Sequence, residues 1–547
     1  MTRVLVVLML TGQGYAVAGD VDASGSISSD FRMRLSDLPA GPWYAPVGKS
    51  AGISRSETIL QGRVTTKGTD LVAVADAGIV VNGLGHDIDA VSHLSLREKV
   101  DPVTVEMNEL YIEVWNVLLD GLDLRVGHQL VQWGVADQFN PTNNLNADDF
   151  EDSLQFGKQL PNTMIRADYA LGAMWTASAV LVPIFRPAML PNTSGIGLAA
   201  LDRLPMVEEQ VRWQIQTERL FSENNLGYPT VVTKADPRMP ARSAENMQWM
   251  FRVGGSVGMQ DVSASYYNGR SDIPQASRNY TSLVDGEICH PDNPNDCING
   301  YLATEATLAF PRMQVFGFNA AGEVNALGWA GAEPFGWRAE VAVIKPERTV
   351  VTIDNGQLPL AEGLTQPAGE YNYGLDGERP TIIEGDVFAK WTLGVDYTVN
   401  KFLYLNGQWV HGMADEFGAG DFLRPGTVVR AGGADWEILR NRIGDYAVVG
   451  ADILTGPATL RLFSVVDVTG YVKESGDTSG GARQVDEYSP FSKEGFSAVL
   501  YPELMFNMGT GLTASVGTIQ MFGESYTKFG DLAAGGDLVF VRGRYQF

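Results

Sequence analysis

Alternation of apolar and polar residues along segments of about ten residues is the feature that most restricts the fold of this chain. The final segment is the clearest example, because every second residue is apolar or glycine: Val539, Val541, Gly543, Tyr545 and Phe547. Three of the four positions between them are polar, namely Arg542, Arg544 and Gln546. A period of two gives a strand one apolar face and one polar face, whereas a helix repeats every 3.6 residues. The pattern therefore predicts an all-β protein.

Eighteen segments of this kind can be drawn, each of about the length of a tilted strand that crosses an outer membrane. They are residues 21–35, 56–66, 70–81, 106–117, 122–133, 162–169, 173–184, 246–257, 261–269, 311–324, 335–345, 386–398, 402–412, 445–454, 457–468, 494–506, 511–521 and 537–547.

The connections between these segments alternate between long and short. Long connections follow the odd-numbered segments, and short ones, such as 67–69, 118–121, 170–172 and 399–401, come between them. Transmembrane barrels alternate long outer loops with short periplasmic turns in this way, and an even strand number places both termini on the periplasmic side. Closure also gives every strand backbone a partner. We therefore predict a single antiparallel transmembrane β-barrel of about 18 strands over residues 19–547.

Both ends of the chain carry features of an exported barrel. The final strand, which ends on an aromatic residue, resembles the terminal signal that the barrel assembly machinery recognises, and Tyr545 and Phe547 would carry it. An ordinary edge strand alternates in the same way. At the other end, a basic start, an apolar run over 4–10 and an A-x-A site at 16–18 predict a signal peptide over 1–18, with a buried first strand as the alternative. The expected location is the bacterial outer membrane, and no transmembrane helix is expected.

Charge and cysteine content narrow the choice of partners. The net charge of −25 argues against nucleic acid as a partner. The two cysteines, Cys289 and Cys297, bracket a short polar run, which predicts a loop disulfide in an oxidising compartment. A metal site there has less support, because two Cys and one neighbouring His make an incomplete ligand set.

The segment that follows strand 122–133 is rich in Asp and Asn. It forms part of the connection 134–161, and its oxygen-bearing residues include Asp137, Asn140, Asp148 and Asp149. We predict that these four residues narrow the pore on a loop folded into the barrel. A solvated outer loop with Asn-Pro and Asp/Asn turns is the alternative. No cofactor is predicted, although the same oxygens are a candidate site for a divalent cation.

Inward-facing polar residues on the strands are candidates for the lining of the pore. In segment 335–345, Arg338 and Glu340 share one face, and the residues between them are apolar. Opposed charges of this kind are tolerated in a water-filled lumen and not in lipid. The predicted lining residues are Arg125, Gln129, Arg338, Glu340, Asn406, Gln408, Arg542 and Arg544.

The longest connection, 185–245, contains a candidate amphipathic helix over 207–217. Its apolar positions, Val207, Val211 and Ile215, follow a helical spacing. The segment is either a lid or plug over the lumen or a compact surface loop.

Several runs in the chain resemble one family of porin-like outer-membrane proteins of Gram-negative bacteria. These runs are GHQLVQWGVADQFNP with the later NADD, VPIFRPAMLP at 182–191, SYYNGRSDIP at 265–274, PRMQVFGFNAAGEV at 311–324, YLNGQWVHGMADEFG at 404–418 and YPEL at 501–504. They extend from about residue 105 to the end of the chain. Many members have no known function, and the family lies near the alginate-export type of eighteen-stranded barrel. The resemblance implies the barrel type and leaves the substrate open.

Catalytic motifs are absent from the sequence. It has no G-x-S-x-G elbow, no H-E-x-x-H motif and no phosphate-binding loop, so an enzyme is not expected. The favoured expectation is passive transport of a solute through a loop-narrowed pore. The alternatives are exopolysaccharide export with a periplasmic partner, which inward arginines would suit, and a non-conducting barrel with a structural or adhesive role. Expected partners are outer-membrane lipid, lipopolysaccharide and the barrel assembly machinery.

Overall fold

The structure is a computed structural model that describes most of the chain. The described residues are 20–37, 51–84, 91–152, 155–190, 230–290, 293–324, 334–354, 378–383, 385–414, 416, 422–423, 435–441, 443–477, 484–524, 527–530 and 536–547. The predicted signal peptide 1–18, the candidate helix 207–217 and most of connection 185–245 lie outside these ranges.

An 18-stranded antiparallel sheet, in which each strand pairs with its neighbours along the chain, forms the body of the protein. Its strands are β1 (Asp20–Arg34), β2 (Gly52–Lys67), β3 (Leu71–Asn82), β4 (Val103–Val114), β5 (Leu122–Gln129), β8 (Asn162–Ala170), β9 (Trp175–Val182), β11 (Gln248–Val257), β12 (Gln260–Arg270), β15 (Arg312–Val324), β16 (Phe335–Pro346), β19 (Phe388–Asn400), β20 (Leu403–His411), β23 (Asp445–Thr455), β24 (Ala458–Asp467), β27 (Ser497–Asn507), β28 (Leu512–Gly523) and β29 (Leu538–Gln546). Each predicted segment overlaps one of these strands.

The first and last strands close the sheet into a barrel. β1 pairs antiparallel with β29 in a register that runs from Ser26 opposite Gln546 to Arg34 opposite Leu538. Beyond it, Gly25 N donates to Phe547 O at 2.9 Å, and Phe547 N donates to Gly25 O at 3.0 Å. The predicted fold, a single closed antiparallel barrel of 18 strands, is therefore confirmed.

The connections alternate in length as predicted. β11–β12, β19–β20 and β23–β24 are joined by two-residue turns at 258–259, 401–402 and 456–457. The long connections add further strands: β6 (Ala147–Asp148), β7 (Gln159–Leu160), β10 (Thr230–Pro237), β13 (Gln275–His290), β14 (Asn293–Ala309), β17 (Thr349–Asp354), β18 (Glu378–Ile383), β21 (Phe422–Leu423), β22 (Asp435–Asn441), β25 (Tyr471–Asp477) and β26 (Gln484–Tyr488). These build a five-stranded sheet, a four-stranded sheet and the pair β6–β7.

The two cysteines lie in one of these additional sheets. Cys289 and Cys297 are directly opposite each other in the antiparallel pair β13–β14, and Cys297 is disulfide-bonded. The connection between segments 261–269 and 311–324, where the loop disulfide was predicted, is thus largely a long hairpin. Helical structure in the described residues is limited to short turns at Val91–Ser95 and Ala244–Asn246 and the helix α1 (Arg97–Val100). Within those residues, no helix is long and apolar enough to cross a membrane.

The two faces of the barrel wall differ in chemistry, as a strand period of two requires. On β15, Phe316 and Phe318 face outward and are 43% and 56% exposed, whereas Asn319 faces inward and is buried. On β16, Glu340 faces inward and is fully buried. The outer wall is therefore apolar and the lumen is polar, which is the arrangement that a bilayer requires of a barrel.

Barrel closure generates a prediction at Gly25. A Cβ at this position would lie 2.7 Å from ring carbons of Phe547 and 2.9 Å from the Gln61 carbonyl oxygen. We expect Gly25→Ala to lower the free energy of unfolding by about 1–3 kcal/mol, the usual cost of overpacking. Urea unfolding of the barrel refolded into lipid vesicles measures this difference.

Gly62 provides the matched control for this substitution. It is the β2 partner of Gly25, on the same outward face, and a Cβ there would meet no atom within 4 Å. Gly62→Ala should change the free energy of unfolding by less than about 0.5 kcal/mol. Equal effects at the two glycines would contradict the packing of Phe547 over Gly25.

Candidate functional site

A polar part of the lumen is built around residues 130–161, which we call the infolded segment. The chain leaves the wall at the end of β5, and β6 and β7 pair within the segment. Asn143 Oδ1 accepts hydrogen bonds from the amides of Trp133 and Gly134 at 2.8 and 2.7 Å. Asn146 Oδ1 accepts from Val131 N at 2.8 Å, and its amide group donates to Leu160 O at 2.9 Å. The asparagines of this run therefore brace the segment from within.

A buried carboxylate on the wall anchors the segment. Glu340 Oε2 accepts hydrogen bonds from Val135 N and Ala136 N at 2.8 and 3.1 Å. Glu340 Oε1 accepts from Thr142 N and Thr142 Oγ1 at 2.8 and 2.7 Å. Burying a carboxylate is costly unless hydrogen bonds satisfy both oxygens, and donors from the segment do so here. Glu340 therefore ties the segment to β16.

Neighbouring strands add further contacts to the same part of the segment. Asn319 on β15 donates to Trp133 O at 3.0 Å, and Thr392 on β19 donates to Phe139 O at 2.8 Å. Phe156 packs between Phe139 and Phe463 of β24, with ring centroids 6.0 and 5.6 Å away. The segment that leaves β5 therefore contacts strands far around the ring.

Asp137 forms the polar tip of the segment. Its carboxylate pairs with Arg338, which also pairs with Asp396. Asn406 Nδ2 donates to Asp137 Oδ2 at 2.9 Å, and Gln408 Nε2 lies 3.5 Å from the same oxygen. Asp137 is 38% exposed, so this cluster faces the open lumen. The guanidinium of Arg338 and the carboxylates of Asp137 and Asp396 therefore meet at the edge of the lumen.

The distal end of the segment is held on the other side of the barrel. Arg32 of β1 donates to both carboxylate oxygens of Asp152, at 2.5 and 2.7 Å, and both residues are buried. Arg55 of β2 lies 3.6 Å from the same carboxylate. A bidentate Arg–carboxylate pair is strong and directional. Together with the contacts to β15, β16, β19 and β20, this pair fixes the segment across the lumen.

Asp148 and Asp149 lie near this end rather than at the tip. Asp148 N donates to Asp272 Oδ2 at 2.7 Å, and Asp149 pairs with Lys158 at 2.7 Å. Asp149 also forms a parallel bridge with Met189. Burial raises the pKa of the Asp272 carboxyl, and backbone hydrogen bonds, including the one from Asp148, act in the opposite direction. Both aspartates thus contribute to the attachment of the segment.

The residues predicted to form the constriction therefore do not make one ring. Asp137 faces the wall cluster, whereas Asn140 packs inside the segment, where its Oδ1 would lie 2.5 Å from a Cβ at Gly134. The spacing of Asp and Asn in the sequence could not distinguish residues that brace the segment from those that face the lumen.

Four of the predicted lining residues contact the infolded segment through their side chains, and the other four lie elsewhere on the wall. Arg338, Glu340, Asn406 and Gln408 all contact the infolded segment. Arg125 pairs with Glu113 at 2.5 Å, and Arg542 pairs with Asp30 at 3.2 Å, both away from the tip. Gln129 is fully buried and donates to Met164 O at 3.1 Å, and Arg544 is exposed near the chain terminus.

Several contributors were not identified from the sequence. Arg32 and Thr142 are examples, as is Arg252 of β11, whose guanidinium lies 5.9 Å from the Trp133 ring centroid. The strand period places Arg32 and Arg252 on the inward face. Their contacts to the segment join residues far apart in sequence, and no local pattern identifies such pairs.

The lumen wall beyond the segment carries paired charges. Arg63 lies 2.6 Å from Glu109 and 3.3 Å from Asp76, and Arg461 lies 2.9 Å from Asp452. Among the described residues, no group of three or more His, Cys, Asp or Glu side chains is arranged to hold a metal ion. The carboxylates of Asp137, Asp149 and Asp152 are paired with Arg or Lys.

The anchor at Glu340 generates a second prediction. Glu340→Gln places an amide NH₂ where one carboxylate oxygen accepts two hydrogen bonds, so donors of the segment lose their acceptor. Hydrogen bonds to charged groups contribute about 1.5–3 kcal/mol. Amide hydrogen exchange at Val135, Ala136 and Thr142 should therefore accelerate about 10- to 100-fold.

Glu113→Gln is the matched control for Glu340→Gln, because Glu113 is an inward carboxylate on β4 that pairs with Arg125. It should leave exchange in the segment unchanged. Unchanged protection in Glu340→Gln would show that the anchor does not hold the segment.

Comparison with known proteins identifies one family. Residues 103–547 match the family described as "Protein of unknown function (DUF1302)". A search of curated proteins found no match.

Solved structures with a similar overall course include outer-membrane proteins. OmpF of Salmonella typhi, in complex with daunomycin, shares 8% identity at a TM-score of 0.36, covering 97% of this chain and 99% of that one. OccAB3 of Acinetobacter baumannii shares 11% at a TM-score of 0.43, covering 96% and 99%. A mutant porin of Rh. blastica shares 10% at a TM-score of 0.32, covering 96% and 100%.

Proposed function

The chain belongs to the DUF1302 family, whose function is unknown, and we propose that it forms an outer-membrane channel for passive transport of a solute. The infolded segment across the lumen is the observation that carries this proposal. An 18-stranded barrel encloses more space than its own side chains fill. The segment narrows that space, and its tip at Asp137 faces the lumen.

The chemistry of the wall supports an outer-membrane location. Its outward face is apolar and its inward face is polar, as a bilayer-spanning barrel needs. In this proposal the short turns and both termini face the periplasm, and residues 1–18 are the export signal. Tyr545 and Phe547, which lie exposed at the closing strand, are the signal for the barrel assembly machinery.

The charge at the tip sets the proposed selectivity. Asp137 and Asp396 flank the single guanidinium of Arg338, so the cluster carries excess negative charge. The chain as a whole has a net charge of −25, which adds a repulsive field for anions. We therefore propose a preference for neutral or cationic solutes and no enzymatic activity.

Polymer export is the alternative suggested by the resemblance to alginate-export barrels. An acidic polysaccharide needs inward arginines that are free to bind it. Arg63, Arg125, Arg461 and Arg542 each have a carboxylate partner on the wall. Because these arginines are paired, they are less free to bind an acidic polymer, and export has less support than solute diffusion. A non-conducting anchor has less support as well, because it would have no use for a polar lumen.

Single-channel conductance in a planar bilayer tests the proposal directly. We expect the refolded chain to conduct steadily and a variant lacking residues 137–152 to conduct more, because the deletion removes the tip, the Thr142 contacts to Glu340 and the Asp152 contact to Arg32. Glu340→Gln should give a noisier channel of higher mean conductance, and Glu113→Gln should match the original chain.

The outcomes of this experiment separate the alternatives. Silence in the intact and trimmed chains would overturn the diffusion channel. Conductance that does not change when the segment is removed or released would overturn the constriction. Loss of secreted polysaccharide on deletion of the gene would favour export.

Asp137→Asn should shift the reversal potential in a salt gradient toward that of chloride. Removing one charge close to the permeating ion is expected to change the cation-to-anion permeability ratio roughly two- to fivefold, since one neighbouring charge contributes up to about 1 kcal/mol in water. Asp452→Asn, which removes the lumen carboxylate that is paired with Arg461, is the control. A larger shift in Asp452→Asn would place the selectivity elsewhere.

A further inference from the structure

The outward face of β12 and β15 becomes more polar along the strands, from one pair of opposed residues to the next. Directly opposed residues on the two strands form a series of pairs: Ala264 with Phe318, Tyr266 with Phe316, Asn268 with Gln314 and Arg270 with Arg312. The series begins with apolar and aromatic residues and ends with charge over the 11 residues of β12. This is the length of a strand that crosses a bilayer, so the last pair lies at the outer interface.

An aromatic cluster marks that interface independently. The ring centroid of Trp249 lies 5.2 Å from that of Phe251 and 5.3 Å from that of Tyr266, and Tyr266 lies 4.8 Å from Phe316. All four rings belong to the outward face of β11, β12 and β15. Aromatic residues form girdles at the headgroup level of transmembrane barrels. The Arg270–Arg312 pair lies four residues farther out along each strand than Tyr266–Phe316, and two residues farther out than Asn268, the β12 partner of Trp249.

The two arginines are held side by side by neutral acceptors. Arg270 donates to Phe310 O and Asn246 Oδ1, both at 2.7 Å. Arg312 donates to the Glu245 carbonyl oxygen and lies 3.4 Å from the same Asn246 oxygen. These bonds fix both guanidinium groups and neutralise neither.

Like charges directly opposite each other destabilise a sheet. Over the part of the chain that the structure describes, neither Arg270 nor Arg312 has a carboxylate within ion-pair distance, and Arg270 Nε has no hydrogen-bond partner. Glu347 attracts Arg270 without forming an ion pair. Lys345, on the outward face of β16 opposite Gln314, adds a third positive charge. The arrangement therefore favours an external anion.

We propose that Arg270, Arg312 and Lys345, the rim site, bind the phosphate of a phosphorylated glycolipid in the outer leaflet. Arginine forks match phosphate oxygens in geometry and charge. The site faces lipid rather than the lumen, and it lies just beyond the aromatic cluster, where lipid headgroups begin. The site brings three basic side chains together on a chain with a net charge of −25.

The rim site is independent of transport through the lumen, and a lipid-binding measurement tests it. The full chain, folded in neutral detergent, is titrated with bis-phosphorylated lipid A or with dephosphorylated lipid A of the same acyl composition, and native mass spectrometry counts bound lipid. We expect at least about tenfold tighter binding of the phosphorylated form. Each basic residue at a membrane surface strengthens binding about fivefold, and the rim site has three such residues.

Substitutions at the rim site should remove this preference. We expect R270Q/R312Q to bind both lipids equally and R270K/R312K to keep most of the preference, since lysine retains the charge. Lys401, in a turn at the opposite end of the wall, gives the matched control K401Q, which should behave as the original chain. If R270Q/R312Q does not fold, the single substitutions R270Q and R312Q provide the same test.

Three outcomes would overturn the rim site as a lipid site. The first is equal binding of both lipids by the original chain, and the second is a preference that survives R270Q/R312Q. The third is displacement of lipid A by excess inorganic phosphate, which would assign the arginines to free phosphate instead of a lipid headgroup.

Discussion

Pairing of β29 with β1 is the constraint on which the rest of the structure depends, because it gives every strand of the wall two neighbours. A sheet with an open edge leaves backbone groups without partners, which is tolerable in water and not in lipid. Closure at 18 strands has a second consequence. The wall encloses a wide space, and alternation sends half of the side chains into it. The infolded segment crosses this space and occupies part of it.

Electrostatics decides how the segment is attached. Glu340 is fully buried and accepts hydrogen bonds from three residues of the segment, so the wall supplies the charge and the segment supplies the donors. At the other end the roles are reversed, because Asp152 brings the carboxylate and Arg32 of the wall brings the donors. Removing the segment would take four hydrogen bonds from Glu340 and would leave Arg32 with Asp30 as its carboxylate partner. The position of the segment across the lumen is therefore stabilised from both sides.

Sequence patterns predicted the wall far better than the site. Period two identified all of the barrel strands, because each strand has one apolar and one polar face. It also extended β5 to residue 133, whereas the strand ends at Gln129. Val131 and Trp133 continue the alternation, and both are buried, but they pack within the lumen instead of along the wall. The long hairpin β13–β14 was expected as loop, because the alternation that marks the wall strands is weak there.

The attachment of the segment was beyond the reach of local patterns. Arg32 and Asp152 are 120 residues apart, and Arg338 and Asp137 are 201 apart. Composition singled out the run from 137 to 152, in which the structure places Asp137 beside Arg338. It could not show that Asn143 and Asn146 brace the segment, because an asparagine that binds a neighbouring amide and one that faces water look the same in a sequence.

Strand parity gives the arginines of this wall two different environments. Inward residues such as Arg125 and Arg461 meet a carboxylate on an adjacent strand, so the lumen provides its own counter-charges. Arg270 and Arg312 have the outward parity, where the neighbouring rows are aromatic and amide side chains that cannot neutralise them. An exposed strand end could have carried polar residues with no charge at all. Two directly opposed arginines instead repel each other, and among the described residues neither has a carboxylate partner within ion-pair distance. The contrast between the two faces is therefore evidence about surroundings: inward arginines such as Arg125 and Arg461 have a counter-charge on the wall, whereas the proposed counter-charge of the rim arginines is the lipid that covers them.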